Sequence, residues 1–367
     1  MPCASSNSEK IHPKPFVYNP YEIGFCCGQT ELIGALVSGV IAEAFRDCLV
    51  GRVVCRGPEV GSETARDAFS GVNLFVTGNQ QGLQYPSVLD SFVGSRPLLD
   101  CDVVFTECVE LFDGCKVVVA VDGVQPVQEQ VLAYVGPLNA CPILAPDQAF
   151  YAFDDVPGLT QRVCEYLVGE AGRVPLRGLV LAGGHSSRMQ SDKARIDYHG
   201  RPQVLHALEL LRSVCVSAHV SIRPDQIDEP FYAGLPLISD TFLGHGQMGA
   251  ILTALTQDPR AAWLVLACDM PFVDHEVLRH LIAERNPFRH ATAFANVEQG
   301  FPEPLCTIYE PKSIHRMLAF LAAGYDCPRK MLINSRIALI TPPESRTLQN
   351  VNNPDERDSV RRFLATG

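Results

Sequence analysis

Seven short apolar runs follow one another from Gly178 to Thr341: GLVLA, AHVSIR, LPLIS, WLVLACD, ATAFAN, EPLCTIY and IALIT. Between and after them stand segments with helical spacing, expected to open near Val204, Met248, His275, Pro311 and Asp355. Runs this short, interleaved with a 3.6-residue period, predict a mostly parallel sheet with helices on both faces. Sheets of that kind take ligands beyond the carboxyl ends of their strands. The stretches to inspect are therefore LAGG, ISD and ACDMP.

The first half has a similar texture. YEIGFCC, VNLFVTG, CDVVFTE and CKVVVAVDG read as buried strands, and the first of them runs into Gly28-Gln29-Thr30 and an apolar helix, ELIGALVSGVIAEAF. With 367 residues the chain is long enough for two cores. A joint falls in AGRVPL, where Gly172 and Pro175 separate an amphipathic segment, GLTQRVCEYLVGE, from the strand RGLVLA. The expected organisation is a tail over 1–17, one α/β domain over 18–172 and a second over 176–367.

Composition narrows the partners. A net charge of −11 argues against nucleic acid, so an anionic ligand must find a local basic site. No run of about 18 apolar residues suggests a membrane span, and the polar, Pro-broken opening MPCASSNSEKIHPKPFVYNP reads as a frayed tail rather than a signal peptide. The 14 cysteines lie mostly inside apolar segments, as small hydrophobes of a reduced chain would. Cys101, Cys108 and Cys115 recur every seven residues without a Cys-x-x-Cys or a nearby His, which is no pattern for zinc. A cytoplasmic setting is the expectation.

The chemistry concentrates in LAGGHSSRMQSDK. Two glycines ending a strand let backbone approach a flat ligand and turn N–H groups toward phosphates. Arg188 and Lys193 follow within reach, both suited to a polyphosphate. Read alone, each later candidate has a plain structural role: Asp240 and Asp269 as turn caps, Asn350 and Asn352 as turn formers before a proline, Arg329 and Lys330 as a small solvated basic loop.

The whole string resembles the signature of the molybdenum cofactor guanylyltransferases, nucleotidyltransferases built on a Rossmann-like sheet. The match is carried by Leu181-Ala182-Gly183-Gly184, Arg188-Met189 and Asp192-Lys193, with Gln190 where the family has glycine. HGRPQVLHALELL, PLISD, GHGQMGAILTAL (Gln247 in place of a proline), VLACDMPFV and NVNNPDE continue the resemblance in order to about Leu364. The resemblance implies a transfer of GMP from GTP to molybdenum-loaded molybdopterin, with Mg²⁺. It assigns Leu181, Ala182, Gly183, Gly184, Lys193, Asp240 and Asp269 to the nucleotide, Arg188, Lys193 and Asp269 to catalysis, and Asp269 to the metal. Asn350, Asn352, Arg329 and Lys330 are implied for the pterin. A molybdoenzyme or its chaperone would receive the product. The Gly-Gly pair favours GTP over CTP by opening room at the base edge. Alternatives are a CTP-dependent relative, a sugar- or polyol-phosphate nucleotidyltransferase, and a non-catalytic cofactor-binding adaptor.

In the first half, YEIGFCCGQTELIGALV has the outline of a P-loop and helix, but Gly24 to Gly28 is one residue short and Gln29 stands where the lysine belongs. ETARDAFSGVNLFVTGN, CDVVFTECVELFDGCKVVVAV and FDDVPGLTQRVCEYL resemble the adaptor GTPase of molybdopterin-guanine dinucleotide synthesis. Glu107 matches its glutamate, and Cys108 replaces the following glycine. The expectation is a degenerate, P-loop-NTPase-like α/β domain that hydrolyses no GTP and serves docking or stability.

Overall fold

The computed structural model describes residues 21–26, 30–55, 72–78, 81–86, 98, 100–107, 114–120, 130–184, 192–296 and 300–364. Gly28, Gln29, Cys108, Arg188 and Gln190 lie outside them. The chain divides into two compact units, Met1–Glu170 and Ala171–Gly367.

In unit 1, strand β1 (Glu22–Cys26) precedes helix α1 (Thr30–Ala44), then come β2 (Val50–Cys55), β3 (Val72–Gly78), β4 (Gln81–Pro86), β5 (Val103–Glu107), β6 (Lys116–Val119), β7 (Val131–Val135), β8 (Ala149–Tyr151) and helix α2 (Val156–Gly172). The described strands form one sheet in the order β4-β3-β2-β5-β1-β6-β7-β8. β2 through β8 of that order are parallel, and β3 and β4 add an antiparallel edge. The central strands are buried along their whole length because both faces are covered, which is why EIGFC and VVFTE show no polar alternation. Helix α1 buries Ile33, Leu36, Val37 and Val40, a spacing that lays one apolar stripe along the helix.

Unit 2 opens with β9 (Leu176–Leu181) and continues through α3 (Gln203–Arg212), β10 (Ser217–Ile222), β11 (Leu237–Ser239), α4 (Gly246–Gln257), β12 (Ala262–Ala267), α5 (His275–Ala283), β13 (Ala291–Ala295), β14 (Pro302–Tyr309), α6 (Ser313–Ala322), α7 (Pro328–Ile333), β15 (Ile337–Ile340) and α8 (Pro354–Leu364). The described strands are ordered β11-β10-β9-β12-β14-β13-β15. Only β14 runs against its neighbours. Alternate residues feed two cores. Val180, Leu264 and Leu266 pack with Val204, Leu208, Leu211 and Leu278 on one face, while Leu179, Trp263 and Val265 pack with Ile251, Leu255 and Met317 on the other. This two-residue period under helices on both sides is the layered architecture expected from the sequence.

One local expectation is corrected. Arg329 and Lys330 stand on α7, not in a loop. Pro328 supplies a preset first-turn φ, and Met331 and Leu332 anchor the short helix in the core. Among the described residues no helix is long and apolar enough to cross a membrane.

Candidate functional site

Strands β9, β10, β11 and β12 are mutually parallel, so their carboxyl ends share one edge of the sheet. A cleft of about 670 Å³ opens there, lined by Leu181, Gly183, Gly184, Arg223, Asp240 and the first turn of α4, among others. Gly183 makes a close approach: a β-carbon there would sit 3.2 Å from the backbone nitrogen of Arg223, a tight contact. Its carbonyl accepts a 2.7 Å hydrogen bond from the Arg223 guanidinium, which is also bidentate to Asp225 at 3.0 and 3.1 Å. Ala182 instead turns into the core, and its N–H donates to the Ser221 carbonyl at 3.0 Å.

Asp240 follows β11 directly. Its N–H donates to Ile222 at 3.0 Å, and its carboxylate accepts from the Ser221 hydroxyl at 2.8 Å. Burial pushes its pKa above the usual carboxylate value, opposed by that hydroxyl and by the Arg223 charge. Across the cleft, α4 opens at His245 with no side-chain cap, and Gly246, Gln247 and Ala250 of its first turns line the cavity. Gly249 lets the helix close on the preceding loop, because a β-carbon there would meet the Phe242 carbonyl at 2.2 Å. Gln247, in the position of the family's proline, sits in this first turn and contributes a backbone donor that proline lacks.

A second group forms beside β9. The Asp192 carboxylate caps a 3-10 turn over Lys193–Arg195 by accepting from the Ala194 N–H at 3.0 Å, which fixes where Lys193 points. The Lys193 ammonium donates to Asp269 at 2.9 Å and to the Asn352 side-chain carbonyl at 2.8 Å. Asp269 follows β12, and its backbone carbonyl accepts from Val351 at 2.9 Å, docking the NVNN segment against it. Asn353 then caps α8, accepting from the Glu356 N–H at 2.9 Å, while Glu356 accepts from the Asn352 N–H at 2.7 Å. The second oxygen of Asp269 is buried without a hydrogen-bond partner among the described residues, as is the side-chain oxygen of Asn350.

Lys193, Asp269 and Asn352 are thus brought together, with Asn350 adjacent. Leu181, Gly183, Gly184 and Asp240 gather at the cleft. Arg329 and Lys330 part company: Arg329 ion-pairs with Glu303 at 3.6 Å, whereas exposed Lys330 lies over the Tyr325 ring at 5.5 Å. Arg188 lies outside the described residues. Sequence reasoning missed Arg223 and Glu303. The signal for Arg223 was its place one residue beyond a strand's carboxyl end. A glutamate inside an apolar strand, EPLCTIY, was the signal for Glu303.

The MobA-like NTP transferase domain model matches residues 178–336. A molybdenum cofactor biosynthesis bifunctional protein of Synechocystis sp. is 36% identical over 191 residues, covering 52% of this chain and 55% of that protein. The chain therefore spans about half of that relative's length. A probable molybdenum cofactor guanylyltransferase of Natronomonas pharaonis is 30% identical over 203 residues, 51% of this chain and 98% of that protein. One of Flavobacterium johnsoniae is 28% identical over 187 residues, 50% and 96% of the two chains. Through a C-terminal nucleotidyltransferase domain, the chain belongs to the molybdenum cofactor guanylyltransferase family.

Proposed function

We propose that unit 2 transfers GMP from GTP to molybdenum-loaded molybdopterin. A phosphate oxygen of the pterin attacks the α-phosphorus of GTP, the bond from that phosphorus to the bridging oxygen breaks, and pyrophosphate leaves. The observation that carries this reading is the convergence of Lys193, Asp269 and Asn352 beside the glycine-lined cleft. Transfers of this kind depend on positioning and fixed positive charge. Leu181, Gly183, Gly184 and Asp240 would hold the nucleoside, with backbone carbonyls and the Asp240 carboxylate as acceptors for guanine N–H groups. Lys193, with Arg188, would neutralise the triphosphate. Asn350, Asn352, Arg329 and Lys330 would meet the pterin. No general base is needed, because a phosphate nucleophile is already ionised at neutral pH.

The donor set at Asp269 fits Mg²⁺. Its unpartnered oxygen is a hard ligand, and no cluster of three His, Cys, Asp or Glu accompanies it among the described residues. Mg²⁺ binds well through one carboxylate with water and phosphate oxygens completing its shell. Bound at Asp269, it would supply charge neutralisation on the transferred phosphates. The product would pass in the cytoplasm to a molybdoenzyme or its chaperone.

Mass spectrometry of the product made from equal GTP, CTP and UTP with molybdenum-loaded molybdopterin tests the assignment. The guanine dinucleotide is expected, and a cytosine or uracil conjugate as the main product would overturn it.

A further inference from the structure

We propose that Glu303 is a positioning residue for the acceptor site, fixing the Arg329 guanidinium so that it can pair with the phosphate of the incoming pterin. The proposal rests on the reading that places Arg329 at the pterin. Strand order supplies the first reason. The nucleotide cleft belongs to the ends of β9, β10 and β11, Asp269 follows β12, and Glu303 stands on β14, on the other side of β12. The antiparallel register of β12 and β14 runs from Trp263↔Tyr309 to Leu266↔Cys306. The chain turns at residues 268 and 269, so the ladder stops there, and Glu303 lies close enough for the Asp269 charge to act on it. By strand order, Glu303 and its partner Arg329 lie past β12 from the nucleotide cleft, on the side left open for the acceptor.

The second reason is how the pair is built. Glu303 is 2% exposed, and a sealed carboxylate is costly unless it is held. One oxygen accepts from the Leu305 N–H at 3.0 Å, which fixes the side chain. The other faces an Arg329 Nη at 3.6 Å. The Arg329 side chain itself is 38% exposed, so its buried edge is set by Glu303 while other donors reach solvent. Its Nε is buried and has no hydrogen-bond partner among the described residues. A guanidinium ion-paired on one edge and open on another is oriented for a bidentate phosphate contact. Lys330, its neighbour, lies over Tyr325 and has no such anchor.

Steady-state kinetics with molybdenum-loaded molybdopterin as the varied substrate test the proposal on Glu303→Gln, Glu303→Asp, Arg329→Ala and the Glu303→Gln/Arg329→Ala double variant, with GTP affinity measured alongside. Glu303→Gln and Arg329→Ala should each raise the acceptor KM roughly tenfold, the size of one charge-assisted contact, with kcat and GTP affinity changed less than about twofold. Glu303→Asp should fall between wild type and Glu303→Gln, and it reads the same contact if the glutamine variant folds poorly. The double variant should be no worse than Arg329→Ala, because Glu303 acts through that arginine. If Arg329→Ala raises KM while the Glu303 variants do not, or if the double variant is additive, the positioning role is wrong and Arg329 keeps its assignment. If Arg329→Ala leaves the acceptor KM unchanged, the assignment of Arg329 to the pterin fails first.

Discussion

Each unit carries a carboxylate at the end of the strand beside its own first strand: Glu107 ends β5 next to β1, and Asp269 follows β12 next to β9. Each uses one oxygen for a cation of the chain and leaves the other without a hydrogen-bond partner among the described residues. The cations differ. Arg52 pairs with Glu107 from within strand β2 and also donates to the Ser38 hydroxyl at 3.2 Å and the Gly34 carbonyl at 3.4 Å. It packs so close to α1 that a β-carbon on Gly34 would stand 2.9 Å from it. A mid-helix glycine costs about 1 kcal/mol relative to alanine, and here it admits the arginine. The Glu107 side chain is 2% exposed, that of Asp269 17%. One carboxylate is sealed under a cation held also by Ser38 and Gly34; the other keeps some exposure beside a lysine on a short turn. On the proposed function, the strand-end carboxylate that keeps some exposure serves a ligand, while the sealed one serves the fold.

Asp269→Asn should break unit 2 most, lowering guanylyl transfer about a thousandfold, since it removes the proposed metal ligand as well as the partner of Lys193; initial rates read this directly. Lys193→Ala should follow, with a loss of about a hundredfold and a weakened GTP-induced thermal shift. Asp240→Asn should cost GTP affinity about tenfold, the value of one charged hydrogen bond, while raising Tm at neutral pH. The sign follows from burial, which lifts the folded pKa of Asp240. Stability from that carboxyl is present below the ordinary carboxylate range and is lost as pH rises through the lifted pKa, so the amide should gain on wild type from acid to neutral pH. An equal Tm difference at both ends of that range would contradict it. The smallest effect on transfer belongs to Glu107→Ala: unchanged rate, and a stability loss of about 3 kcal/mol from stranding Arg52. If that variant slowed transfer as Asp269→Asn does, the contrast between the two strand ends would collapse. Equilibrium dialysis should likewise count one GTP per chain, and a second would show that unit 1 retains a nucleotide site.

The sheet of unit 2 was legible because its strands are short apolar runs between helices of clear period, and the edge holding Asp240 and Asp269 follows from parallel order alone. Lys193 was legible through the Asp-Lys pair, whose aspartate proves to be the cap that aims the lysine. Glu303 was not, because its meaning depends on β14 crossing back beside β12, a pairing that no local pattern announces. Helix α7 was hidden for a related reason: six residues carry too little period to register, and its stability comes from Met331 and Leu332 in the core. In unit 1, β2 and its Arg52 escaped notice, since VGRVVC shows an arginine inside an apolar run without showing which carboxylate it will meet.

The hydrogen bond between Lys193 and Asn352 joins positions 159 residues apart, and it has a consequence in time. A ribosome delivers the glycine turn and the lysine early, then the aspartates, and the NVNN segment only after nearly all of the strands have emerged. Until that segment docks against Asp269, the hydrogen bond from Lys193 to Asn352 cannot form. Contacts this distant in sequence also form late in folding, because the loop they close is costly to order. That one hydrogen bond therefore reports whether the last segment of the domain has closed onto its first strand and turn.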